Sequence, residues 1–86
     1  MNKYDAKDFE QNPGKYKLFC KAEVAAHIVT DNASNDLYEG EIVGIKYFAT
    51  ARNPLFRRNE PVYAVTRQDG SFYGHVYANS LHSFVL

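Results

Sequence analysis

The chain has one cysteine, no tryptophan, one methionine and no excess charge of either sign, with ten lysines and arginines against ten aspartates and glutamates. A lone cysteine excludes an internal disulfide framework and points to a reducing compartment, so a cytoplasmic location is expected. Long apolar runs are also missing. Val24-Ala25-Ala26 is followed by His27 and then Ile28-Val29, far short of the ~20 residues a membrane span needs, and no membrane partner is expected. The start of the chain, Met1 to Asp5, lacks the apolar core of a signal peptide. A net charge of zero argues against a purely electrostatic nucleic-acid binder.

The catalytic inventory is equally thin. His75 and His82 stand seven apart across a turn, which is no metal-ligand spacing, and no glycine-rich phosphate loop is present. Asp69-Gly70-Ser71 reads as a turn rather than a nucleophile elbow. Cys20 falls among the apolar positions of a first strand and reads as a small core residue. Glu39 and Glu41 flank Gly40 and read as solvated. No enzyme activity, cofactor or metal is expected.

What is present is a core-forming composition, 45% apolar and 15% aromatic over 86 residues, enough for one folded domain. Charge is unevenly placed. Residues 1–41 carry five lysines against eight carboxylates, a net of −3; residues 42–86 carry Lys46 and all four arginines against Glu60 and Asp69, a net of +3. Arginine suits bidentate pairing with phosphate or carboxylate.

Tyr4 to Asn12 reads as a short helix capped by Asp5, anchored by Phe9 and stopped by Asn12-Pro13-Gly14. The period-two pattern of Tyr16, Leu18, Cys20, Ala22 and Val24 predicts a strand over 16–24, although Leu18, Ala22, Ala25 and Val29 also fit helical spacing. Residues 30–36 form a polar loop. Strands are expected over 41–49, 62–67, 72–77 and 82–86, with a second long loop over 50–61. Asp69-Gly70 predicts a tight hairpin between the third and fourth strands. Ala78 to Leu81 suits a 3₁₀ turn. Leu18, Val43, Ile45, Val65, Val76 and Phe84 are the expected core. The apolar ending Ser83-Phe84-Val85-Leu86 is a poorly guarded strand edge, to be covered by the N-terminal arm or by a second copy, so a homodimer is open.

In Gly74-His75-Val76-Tyr77-Ala78-Asn79-Ser80-Leu81 a glycine-led strand runs into a 3₁₀ turn, and Leu37-Tyr38-Glu39-Gly40-Glu41-Ile42-Val43 leads from a long loop into a strand. Together with Leu18 to Ala22 as an opening strand, these stretches resemble the SH3 family over residues 16–86. The resemblance implies a mainly β fold, a five-stranded SH3-like small barrel over 16–86, with residues 1–15 as a helical arm. It does not carry the family's binding of proline-rich peptides. The groove tryptophan is absent, Ala78 stands where proline is expected, and Leu81 stands near the tyrosine position, so the rings on which polyproline helices stack are missing.

Two groups of residues suit recognition. Arg52, Asn53, Leu55, Phe56, Arg57 and Arg58 mix arginine with apolar side chains in the second long loop, as interface hot spots do. The same mixture serves single-stranded RNA, or the loop folds back on the body and is merely solvated. Tyr63, Tyr73 and Tyr77, with His75 and with Arg67 at the edge, form an aromatic face if these strand faces point outward; cross-strand aromatic pairing within the sheet is the other reading. The resulting expectation is a non-enzymatic binding module, a small inhibitor or accessory protein that occludes a protein partner, with RNA as the alternative partner and a structural subunit as a third reading.

Overall fold

The computed structural model describes residues 4–30 and 35–86; Met1–Lys3 of the expected arm and residues 31–34 of the expected polar loop lie outside the described residues. Helix α1 spans Ala6–Gln11. Asp5 caps it: its carboxylate accepts from the backbone N–H of Lys7 at 2.9 Å and of Asp8 at 3.5 Å, satisfying donors that have no partner within the helix. A 3₁₀ turn, Pro13–Lys17, follows.

Strands β1 (Lys21–Val24), β2 (Ile42–Asn53), β3 (Arg58–Thr66), β4 (Phe72–Tyr77) and β5 (Leu81–Val85) form one antiparallel sheet of order β4-β3-β2-β1-β5. The protein is mainly β with a short N-terminal helix, as expected. β4 and β5 are the edges, and no ladder joins them among the described residues. The sheet curls around one core all the same, since Val76 of β4 and Phe84 of β5 belong to a single buried cluster. The 3₁₀ turn before the last strand is present at Ala78–Ser80.

Tyr16 ties the N-terminal segment into that core. Its ring is packed edge-on by Tyr4, Phe9, Phe19 and Phe84, with centroids 5.6–6.0 Å away. Such edge-to-face contacts add to the stabilisation from burial. Its hydroxyl donates to the Asp8 carboxylate at 2.9 Å, and its backbone carbonyl accepts from the Tyr63 hydroxyl at 2.6 Å. Burial, followed by the Asp8 hydrogen bond, pushes the Tyr16 phenol up to about 12.

Several expectations are corrected. The first strand begins at Lys21 rather than at residue 16, because Leu18 takes right-handed helical backbone (φ −99°, ψ −16°) as it closes the 3₁₀ turn. That interrupts the alternation at residues 18–20, while Tyr16, Ala22 and Val24 are buried as expected. Phe19 enters the core, Leu18 is 66% exposed, and Cys20 is exposed rather than buried. The other expected core residues, Val43, Ile45, Val65, Val76 and Phe84, are buried together. The long loop expected over 50–61 is mostly strand. Thr50↔Pro61, Ala51↔Glu60, Arg52↔Asn59 and Asn53↔Arg58 continue the β2–β3 ladder and leave residues 54–57 as its tip.

The Asp69-Gly70 hairpin lies where the sequence puts it. Gly70 N–H donates to Arg67 C=O and Arg67 N–H to Ser71 C=O, both at 2.9 Å. The Asp69 carboxylate accepts from Ser71 N at 2.8 Å and Ser71 Oγ at 2.6 Å, bonds that hold its pKa below the usual carboxylate value. Gly70 has φ +90°. Replacing it by a β-branched residue forces a side chain into the left-handed region, so Gly70→Val is expected to lose roughly 1–3 kcal/mol in a denaturant titration. An unchanged midpoint would refute this turn.

Candidate binding site

The tip of the β2–β3 hairpin stands on a buried carboxylate. Glu60 is fully buried, and a carboxylate removed from water must find partners. One oxygen accepts from Asn79 N–H at 2.7 Å. The other accepts from Asn53 Nδ2 at 3.3 Å and lies 3.7 Å from Arg58 Nε. Asn53, itself buried, turns its other amide atom outward, and its Oδ1 accepts from Leu55 N–H at 3.1 Å. Asn53 therefore links the buried charge to the conformation of the tip. Arg58 Nη2 donates to Asn79 Oδ1 at 3.3 Å, and its guanidinium lies 5.2 Å from the Phe56 ring and 5.9 Å from the Tyr4 ring. Burial raises the Tyr4 phenol, with the Glu60 charge adding to the shift and Arg58 opposing it.

Above this base the tip is open to solvent. Leu55 is 79% exposed and Phe56 43% exposed; Arg52 and Arg57 are exposed beside them. Arg57 has φ +53°, an unfavourable conformation for a residue with a Cβ.

The residues singled out in sequence therefore divide. Arg52, Leu55, Phe56 and Arg57 share one exposed projection. Arg58, expected exposed, is half-buried and committed to Glu60 and Asn79. Asn53 is buried. Tyr63 is fully buried, so the outward tyrosine face is corrected: register puts Tyr63 and Val65 on the core side. Tyr73 is packed against the core, where burial raises its phenol. Tyr77 is half-buried and donates to Arg52 C=O at 3.1 Å. Arg67 donates to the carbonyls of Asn35 and Asp36, lies 3.6 Å from Glu41 and sits 5.4 Å over the Tyr73 ring. It fastens the 35–41 segment to the sheet, and Glu41 is correspondingly half-buried rather than solvated.

Sequence reasoning missed the Glu60–Asn53–Asn79 group, since residues 53 and 60 fell in an expected loop. The one available signal was the matched polarity of Asn53 and Glu60 on either side of a possible hairpin. It also missed that Phe48, His75 and Phe72 meet on the outer face, with ring centroids 4.2 Å apart for Phe48–His75 and 5.8 Å for Phe72–His75. Among the described residues no group of three His, Cys, Asp or Glu side chains is placed to hold a metal ion, and no helix is long and apolar enough to cross a membrane. Compared with protein-family models, with curated proteins and with solved structures, the chain matches none.

Two stability measurements test this base. Glu60→Ala leaves Asn79 N–H and the Asn53 amide unsatisfied and is expected to cost roughly 2–5 kcal/mol in chemical denaturation; a loss under about 1 kcal/mol would show that the brace is dispensable. Arg57→Gly relieves the positive φ, and its stability is expected to stay level or rise by up to about 1 kcal/mol. A clear loss would mean that the Arg57 side chain holds the turn.

Proposed function

We propose that this chain is a non-enzymatic binding module with an SH3-like fold, which engages a protein partner through the tip of the β2–β3 hairpin and acts by occluding the partner's surface. The observation that carries this is the exposure of Leu55 and Phe56 at the end of a braced hairpin. Exposed apolar side chains on a rigid support bind with little ordering cost, and arginine with an aromatic ring is the preferred hot-spot pairing. The strand order β4-β3-β2-β1-β5 and the 3₁₀ turn before β5 support the SH3-like part of the reading. A proline-rich ligand is not part of the proposal, because the chain has no tryptophan and Ala78 and Leu81, where the family carries proline and tyrosine, are buried.

The test is a variant carrying Leu55→Ala, Phe56→Ala and Arg57→Gly. Arg58 stays, because removing it would disturb Glu60. Its thermal melt is expected to stay close to that of the parent chain, while nuclease-treated lysate yields proteins on the parent chain that are absent from the variant. If the variant melts normally and captures the same proteins, the tip is not the interface.

A further inference from the structure

The outer side of the sheet carries a second constellation, independent of the hairpin tip. Residues directly paired across an antiparallel ladder share a face. Register puts Lys21, Gly44, Thr66 and Phe72 in one rung and Lys46, Ala64 and His75 in the next. Ala22↔Val43 and Ile45↔Val65 lie between and around them and are buried, so the first two rungs face outward. The middle of this face is low, made of Gly44 and Ala64, and the rim is high.

Phe48 joins that rim by alternation, following Gly44 and Lys46 on the outward side of β2. The ladder pairs Tyr47 with Tyr63 and Ala49 with Val62, so Phe48 is the extra residue of a bulge, with no residue of β3 directly opposite. Its ring lies over His75 at 4.2 Å and 38°, and Phe72 flanks His75 at 5.8 Å and 73°. Phe48 is 62% exposed and Phe72 63%. Grouped large rings left in water on a sheet face mark an interaction surface more than a folding device.

The charges select the occupant. The exposed ionised groups on the two outward rungs are Lys21 and Lys46. The nearest carboxylates, Glu23 at 3.8 Å from His82 and Asp69, which accepts two hydrogen bonds from Ser71, stand off these two rungs. Among the described residues, β2, β3 and β4 hold one carboxylate, Glu60, and it is fully buried. Rings for base faces, a shallow floor and lysines for phosphates are what unpaired nucleic-acid strands require. A duplex hides its base faces.

We infer that the outer face formed by Phe48, His75, Phe72, Lys21 and Lys46 binds single-stranded nucleic acid by stacking bases on the rings. A few phosphate contacts give affinity in the range of non-specific binding, on the order of 10⁻⁶–10⁻⁴ M.

The chain has no tryptophan, so Phe48→Trp places a single reporter at the face. Titrating it with oligo-dT or oligo-U of about 12 nucleotides is expected to quench its emission, whereas a duplex of equal length leaves it largely unchanged. In fluorescence anisotropy with the same labelled oligonucleotides, Phe48→Leu/Phe72→Leu keeps apolar bulk but removes the rings, and is expected to weaken binding about 10-fold or more. Lys21→Ala/Lys46→Ala should flatten the salt slope by roughly 1.4 log units per log unit of salt. The hairpin-tip variant should bind the strands as the parent does, so failure of this proposal and failure of the tip reading are told apart. The proposal is overturned if no strand binds at about 50 mM salt, if duplex binds as well as single strand, if the double-leucine variant binds like the parent, or if the tip variant alone abolishes binding. Should the double-leucine variant fail to fold, the tryptophan titration decides by itself.

Discussion

The burial of one carboxylate, Glu60, organises the far end of the molecule. A carboxylate kept wholly from water is costly unless donors or opposite charge surround it, and its two donors and one ion-pair partner come from three places in the chain. Asn53 lies across the hairpin, Arg58 two residues before, and the Asn79 N–H belongs to the 3₁₀ turn ahead of β5. Satisfying Glu60 therefore fixes where the β2–β3 hairpin stands relative to the β4–β5 connection. Two of these side chains then act outward: Asn53 shapes the tip through Leu55 N–H, and Arg58 carries Phe56 on one side and Tyr4 on the other. Rigidity at an exposed tip is inherited from a polar group that has no exposure of its own.

Much of the fold could be read in the sequence because it depends on local chemistry. The Asp5 cap, the Asp69-Gly70 turn, β4 over Phe72–Tyr77 and the 3₁₀ turn at 78–80 each rest on residues within a few positions of one another. The failures have the opposite character. Tyr16, Ala22 and Val24 are buried as period two over 16–24 requires, but the helical residue at Leu18 exchanges Phe19 for Leu18 and Cys20 on the core side, and nothing local distinguishes Leu18 from Phe19 as the core side chain. The stretch 50–61 looks like loop because Asn53, Pro54, Asn59 and Pro61 are poor strand formers. It is strand because four residue pairs continue the ladder and Glu60 closes it with tertiary partners.

The candidate site was legible in composition and illegible in orientation. Arginines and apolar residues at 52–58 do project together, yet which of them reach solvent depends on Asn53 and Arg58 being recruited inward. The tyrosines misled for a related reason. Tyr63 alternates with Ala64, and only the register with β2 and β4 determines which of the two faces the core. Its hydroxyl then finds the Tyr16 carbonyl, 47 positions away in sequence, a partner that no local pattern announces.

Two of the sheet's irregularities, between Tyr47 and Ala49 in the β2–β3 ladder and between Val65 and Thr66 in the β3–β4 ladder, bear on how so small a sheet presents distinct surfaces. A bulge adds twist and turns a side chain away from the position that strict alternation would give it. At the first, Phe48 keeps the outward side of Gly44 and Lys46 while Tyr47 stays against Tyr63. The second changes the register where β4 begins, so that Phe72 pairs with Thr66 while Gly74 pairs with Val65. Of the two rings that flank His75, Phe72 is thus turned outward by a departure from regular pairing. Neither ring belongs to the buried cluster centred on Tyr16, Tyr63 and Phe84, so the outer face can change its side chains without disturbing the contacts that hold the N-terminal segment to the sheet.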